Sequence, residues 1–188
     1  MERIHPQIVH INENGESLGP ISYEEAHPLD PAQEGMRHAV ANLLIFNDSS
    51  YSELLLSKRS HIVRSPEKWD CSAGGHVDWI GEKGIAEPPL EAALRELNEE
   101  LFQERGIPPE LKIEGLGKFW KHVRANNHEL IYLFRGIYSG PFYHSSEIST
   151  LTFFPVINLK HRMESERDKF TVNLFYCFNK HLEIMSAK

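Results

Sequence analysis

Glu87-Pro88-Pro89-Leu90-Glu91-Ala92-Ala93-Leu94-Arg95-Glu96-Leu97-Asn98-Glu99-Glu100-Leu101 is the stretch on which the fold turns. Proline stands in its first turn, where a missing N–H leaves no helical bond unmade, so the sequence predicts a helix over about 89–103. Leu90, Leu94, Leu97 and Leu101 recur at helical spacing and predict the buried stripe. Glu96, Glu99 and Glu100 fall at i, i+3 and i+4, so their three carboxylates share one face. Like charges so placed cost a helix about 0.2–0.5 kcal/mol per pair. A divalent cation removes that cost, and oxygen donors suit Mg²⁺ or Mn²⁺. A solvated acidic face is the plainer reading of three glutamates alone; the residues ahead of the helix shift the reading toward a metal.

Those residues are Trp69-Asp70-Cys71-Ser72-Ala73-Gly74-Gly75-His76-Val77-Asp78, preceded by Leu54-Leu55-Leu56-Ser57-Lys58-Arg59-Ser60. The run from Gly81 to Glu100 resembles the Nudix box, G-x5-E-x7-R-E-U-x-E-E-x-G-U with U aliphatic. Gly81, Glu87, Arg95-Glu96-Leu97 and Glu99-Glu100 keep its spacing. The two upstream stretches resemble the W-D-x-S-x-G-G-H-V lead-in and the strand ending in K-R-S of the subgroup that isopentenyl-diphosphate isomerases share with hydrolase relatives. Asn12-Glu13-Asn14-Gly15-Glu16 and Arg37-His38-Ala39-Val40 resemble its N-terminal pattern, so the resemblance runs over roughly 8–155. Two departures stand out. Gly74-Gly75 lies too far ahead of Glu96, which points to an insertion within 79–86 and leaves Glu82 or Glu87 as the first box glutamate, Glu87 having the right distance to Arg95. The box's last glycine is replaced by Phe102 and the aliphatic residue after it by Gln103; the helix is expected to run on to about Arg105, with Gly106 as its C-cap.

A chain of 188 residues suits one domain with a substantial core, here the whole span 1–188. Its net charge of −7 argues against a nucleic-acid partner. Cys71 and Cys177 make no disulfide framework, the N-terminus lacks the apolar run of a signal peptide, and no stretch is apolar enough for a membrane span, so a reduced, cytoplasmic protein is expected.

Working outward from the helix, 7–11 and 18–22 form a hairpin around Asn14-Gly15. Residues 23–36 look irregular. Strands are expected over 39–46, 53–57, 69–72, 113–123 (broken by Gly115 and Gly117), 128–139 and 150–155, with a turn at Asn126-Asn127. Residues 158–184 look largely helical, with one C-terminal helix over about 160–184 and Phe170, Leu174, Phe178 and Leu182 on one stripe. This order suits an α/β sandwich. The resemblance specifies it as a Nudix-type α/β/α sandwich with a mixed β-sheet, the box covering about 74–103.

The resemblance implies that Glu99 and Glu100 are the main metal ligands. Glu96 ligates or orients water, and a backbone carbonyl at Gly74 or Gly75 completes the shell. Arg95 would orient a box glutamate, Glu87 or Glu99. Glu129, in Asn127-His128-Glu129-Leu130, is read as a water-activating base or further ligand, against an exposed strand-end glutamate; Glu147 competes for the base role. Lys58 and Arg59 offer a basic pair for phosphate oxygens, against charge protecting a strand edge. His27, His38 and His76 match the places where the isomerases bind a metal with three histidines and two glutamates, a second site here with Glu100 and Glu129; the alternative for His76 is a hydrogen-bonded supporting residue. Gly74 stands where the isomerase carries its cysteine, and Cys71 lies too far from His76 to replace it. The expected activity is metal-dependent hydrolysis of the diphosphate bond of a nucleoside diphosphate linked to another group. The rivals are an isomerase-like enzyme and a catalytically silent nucleotide-binding module. The expected partner is a small diphosphate, with a homodimer left open by the aromatic C-terminal segment.

Overall fold

The structure, a computed structural model, describes residues 7–30, 32–124 and 126–187. In chain order its strands are β1 (Ile8–Ile11), β2 (Ser17–Ile21), β3 (His38–Phe46), β4 (Glu53–Arg59), β5 (Trp69–Asp70), β6 (Ala73–His76), β7 (Trp79–Ile80), β8 (Ile85–Ala86), β9 (Lys112–Arg124), β10 (Asn127–Ile137) and β11 (Ile148–Pro155). Its α-helices are α1 (Tyr23–Ala26), α2 (Pro89–Phe102), α3 (Val156–Ser165) and α4 (Val172–Ser186), with a 3₁₀ turn at Arg167–Lys169. The chain divides into two compact units, one of Met1–Ala41, Gly75–Ala92 and Gly117–Tyr132, the other of Asn42–Gly74, Ala93–Leu116 and Leu133–Lys188.

In the first unit β1 and β2 form the expected antiparallel hairpin, Ile8 opposite Ile21. Its turn is set by Asn12, whose Oδ1 accepts the N–H groups of Asn14 and Glu16, and by Gly15 at φ +79. Residues 23–36 are less irregular than expected. Ser22-x-x-Glu25 is a capping box: Glu25 N–H donates to Ser22 Oγ at 3.2 Å and Ser22 N–H to Glu25 Oε2 at 2.7 Å, which nucleates α1. Ile8, Ile21 and Ala26 are buried together with Met36 against them. The 79–86 insertion is a small hairpin, β7 paired with β8 and turned at Gly84 (φ +62). It delivers Glu87, which is buried and accepts Asp78 N–H, whereas Glu82 is exposed. Asn127 belongs to β10 rather than to a turn.

In the second unit β4 lies between β11 and β3, with Leu54 opposite Phe154 and Phe46. β4 is therefore not an edge, and Lys58 and Arg59 are not there to guard one. The fully buried Ser72 joins β3 and β4 where they pair: its Oγ donates to Leu55 O at 2.6 Å and accepts Ile45 N–H at 2.7 Å. Leu97 and Leu101 of α2 are buried as expected and Ala93 joins them, but Leu90 is 44 % exposed, so the buried stripe begins one turn later than the leucines suggest. α2 stops at Phe102 rather than reaching Arg105. Gln103 (φ +48) and Glu104 (φ +61) turn left-handed, and Asn98 takes the freed N–H groups, Glu104 N–H on its carbonyl and Gly106 N–H on its Oδ1. β9 continues through Gly115 and Gly117 without a break. The single C-terminal helix expected over 160–184 is instead α3, the 3₁₀ turn and α4. Thr171 stops and restarts the chain, its Oγ1 accepting Leu174 N–H as the α4 N-cap and donating to Asp70 at 2.6 Å. Phe170, Leu174 and Phe178 are core, while Tyr176 is partly exposed. Cys71 is a buried small group, as free cysteines commonly are. Among the described residues no helix is long and apolar enough to cross a membrane.

Candidate functional site

α2 carries the acidic residues into the second unit. Glu100 Oε2 accepts Gly74 N–H at 3.0 Å. Burial, joined by the nearby charges of Glu96, Glu147 and Asp70, pushes its carboxyl well above the usual range, against the Gly74 N–H that favours the ion. A cation is what such a group lacks. Glu96 is held by Arg95, NH1 to Oε1 at 2.7 Å, and the same guanidinium nitrogen lies 3.8 Å from Glu99 Oε2. Arg95 thus pairs with two of the three helix carboxylates, more closely with Glu96 than with the expected Glu99. Glu99 is the most open of the three, its side chain 47 % exposed. Gly75, the next residue after Gly74 in β6, belongs to the first unit's segments.

The loop 138–147 docks on the end of α2. Ser145 N–H donates to Glu100 O and Tyr143 N–H to Leu101 O, both at 2.8 Å, and Gln103 Nε2 reaches His144 O at 2.7 Å. These bonds satisfy carbonyls that a helix end leaves open. They also tether the segment that bears Glu147, whose carbonyl accepts Ser60 N–H at 2.9 Å. Lys58 Nζ pairs with Glu67 at 2.7 Å, and Arg59 with Asp70 at 3.0 Å and with Arg64 O. The basic pair is present but partnered by acids.

The first unit holds a second constellation. His27 follows α1, His38 opens β3 and His76 closes β6, and one ring nitrogen from each lies within 4.8 Å of the others. His27 Nε2 and His76 Nε2 are 2.9 Å apart. His38 Nδ1 donates to Met36 O at 2.8 Å, which leaves its buried Nε2 as an acceptor with no hydrogen-bond partner. Burial lowers the basicity of His38 and His76, for His76 with help from the other two rings, so these two are held as the neutral imidazoles that bind metals. A ring with an orphaned, buried nitrogen, grouped this closely with two others, fits a cation. Glu129 is buried rather than an exposed strand-end residue, and it pairs with Lys121. Burial alone would raise its carboxyl; Lys121 and then His38 outweigh this and bring it down to about 2. Lys121 went unnoticed in the sequence because nothing in its local pattern marks a buried lysine; only the pairing of β9 with β10 brings it to Glu129.

Comparison with known proteins bears on the fold and the family. No curated protein matches the chain in sequence. Among solved structures, DR0079 from Deinococcus radiodurans superposes with a TM-score of 0.69 at 21% identity, covering 93% of this chain and 97% of that one. The NUDIX domain of Shewanella oneidensis NrtR, complexed with ADP ribose, gives 0.55 at 17%, covering 82% and 89%. A C. elegans Ap4A hydrolase gives 0.54 at 17%, covering 80% and 99%. At such identities these likenesses speak for the fold, α/β with a mixed sheet in the α/β/α sandwich of these proteins. The NUDIX domain profile matches residues 36–174, most of the chain and all of the α2 acidic segment. The chain therefore belongs to the NUDIX domain family and is a Nudix hydrolase.

Proposed function

We propose that this chain, acting as a single Nudix domain, is a metal-dependent hydrolase of the diphosphate bond of a nucleoside diphosphate linked to another group. The observation that carries the reading is Glu100, a buried carboxyl bonded to Gly74 N–H and crowded by Glu96, Glu147 and Asp70. Glu96, Glu99 and Glu100 are the residues that would hold Mg²⁺ or Mn²⁺, with a carbonyl at Gly74 or Gly75 completing the oxygen set. When bound, such a cation neutralises phosphate oxygens and makes a water more acidic. Arg95 keeps Glu96 and Glu99 in place. Glu147, on the tethered 138–147 loop, accepts the proton of the attacking water. Lys58 and Arg59 exchange their carboxylate partners for phosphate oxygens. ADP ribose, bound by the NrtR domain, is a compound of the proposed substrate class.

The finer placement, beside the isopentenyl-diphosphate isomerase-like hydrolases, rests on His27, His38 and His76, which we read as a second, nitrogen-rich cation site with the buried Glu129 beside it. Gly74, at the place of the isomerase cysteine, favours hydrolysis over isomerisation.

The test is a screen of nucleoside diphosphate derivatives with Mg²⁺ and with Mn²⁺, followed by Glu99→Gln and Glu100→Gln on the best substrate. Loss of a carboxylate that holds the metal is expected to lower kcat by about two orders of magnitude or more while circular dichroism stays native. Full activity in both variants would sink the assignment.

A further inference from the structure

Lys121 and Glu129 are 4 % and 7 % exposed, and their side chains meet as an ion pair. A buried carboxylate needs a positive partner, since an unpaired one is strongly disfavoured. Two kinds of partner are at hand: the Lys121 ammonium, and any cation held by the histidines, for Glu129 lies in the field of both His38 and His76. The geometry gives the carboxylate to the lysine. The close group of ligand atoms among the described residues is formed by His27, His38 and His76, and Glu129 is not part of it. His38 belongs to that group, and its Nε2 is buried and without a hydrogen-bond partner.

We infer that Lys121 is an internal counter-cation that withholds Glu129 from the histidine cluster, leaving a three-nitrogen site that takes a borderline cation such as Zn²⁺ or Co²⁺ rather than Mg²⁺ or Ca²⁺. This rests on the reading of the three histidines as a cation site. Neutral imidazoles suit Zn²⁺ and its neighbours, whereas hard cations need oxygen anions. With Lys121 present, the Glu129–Lys121 pair adds no net charge beside the rings, so an entering cation is held by nitrogen alone. With its ammonium removed, Glu129 becomes both unpaired and available, and it joins as a fourth, anionic ligand. Lys121 is thus a positioning residue: it sets the composition of the site by acting through Glu129.

Co²⁺ titration of the full chain, followed by visible absorption and by calorimetry, tests this. Wild type is expected to bind Co²⁺, and His38→Ala and His76→Ala to abolish its absorption bands. Lys121→Met is expected to bind Co²⁺ about tenfold tighter with altered bands, the double variant Lys121→Met/Glu129→Gln to lose that gain, and the charge-retaining Lys121→Arg to show none. Glu129→Gln alone, which leaves the Lys121 ammonium unpaired beside the rings, is expected to bind Co²⁺ more weakly than wild type, a result that does not depend on how Lys121→Met folds. Equal affinity in wild type and Lys121→Met, a gain that survives the Glu129 substitution, or an affinity in Glu129→Gln alone equal to or above that of wild type would each overturn the proposal while the histidine site stands. Co²⁺ binding indifferent to both alanine variants would overturn the histidine site itself.

Discussion

His181 shows how a single buried side chain escapes a sequence reading and still governs a measurable property. It is 1 % exposed on α4, its ring 4.7 Å from that of Phe46 and 5.8 Å from that of Tyr51, and its Nδ1 has no hydrogen-bond partner. Burial, then the charge of Arg135, hold its pKa down to about 4. Arg135 is itself paired with Glu114 and lies over Tyr51. The unfolded chain has an ordinary imidazole near 6.5 and binds more protons than the folded one between those values. The stability is therefore complete above about pH 6.5 and is lost as pH falls toward 4, by up to about 3 kcal/mol. Urea midpoints measured from pH 4.5 to 8 should show a flatter acid slope in His181→Leu than in wild type; an unchanged slope would place the acid sensitivity elsewhere. The helix carboxylates, by contrast, were legible one by one, because their chemistry follows from spacing along a single element. Lys121 was not, since its partner Glu129 comes from another strand.

At the scale of elements, starts were easier to read than ends. Proline placed the beginning of α2 because it tolerates the first turn and little else. Its end depends on Asn98, Gln103 and Glu104, residues with no strong local signature, and the helix stops about a turn before the expected Arg105. The Ser22-x-x-Glu25 capping box was legible and went unread; the break between α3 and α4 was not legible, because the bond from Thr171 to Asp70 joins residues a hundred positions apart. The α2 terminus yields its own prediction. Glu104 holds φ +61, a left-handed conformation that costs an ordinary residue roughly 1–2 kcal/mol and glycine far less. Glycine gives part of this back through its freer unfolded chain, so Glu104→Gly should stabilise by about 1 kcal/mol, a rise of about 2–4 °C in Tm. Glu104→Ala, which keeps a Cβ, should not. A lower Tm for the glycine variant would mean that the left-handed turn is not where strain is stored.

For the molecule as a whole, fold class was readable because box spacing and strand order point to one architecture, and because 40% hydrophobic content supplies its core. The substrate was not readable, since the groups flanking a diphosphate are recognised by loops that carry no fixed motif. Net charge adds a property that no single site reveals. At −7 the chain repels the anionic diphosphate it is proposed to cleave. The basic pair that would offset this is already engaged, Lys58 by Glu67 and Arg59 by Asp70, so its field beyond contact range is small. Mobile salt screens repulsion as readily as attraction, with a range of about 10 Å at 0.1 M. Raising KCl from about 10 mM to about 150 mM at saturating Mg²⁺ should therefore raise kcat/KM for a nucleoside diphosphate derivative, or leave it level where Mg²⁺ already cancels the substrate's charge. A fall of severalfold over that range would show that an uncompensated positive surface guides the substrate, and that Lys58 and Arg59 act on it before contact rather than after.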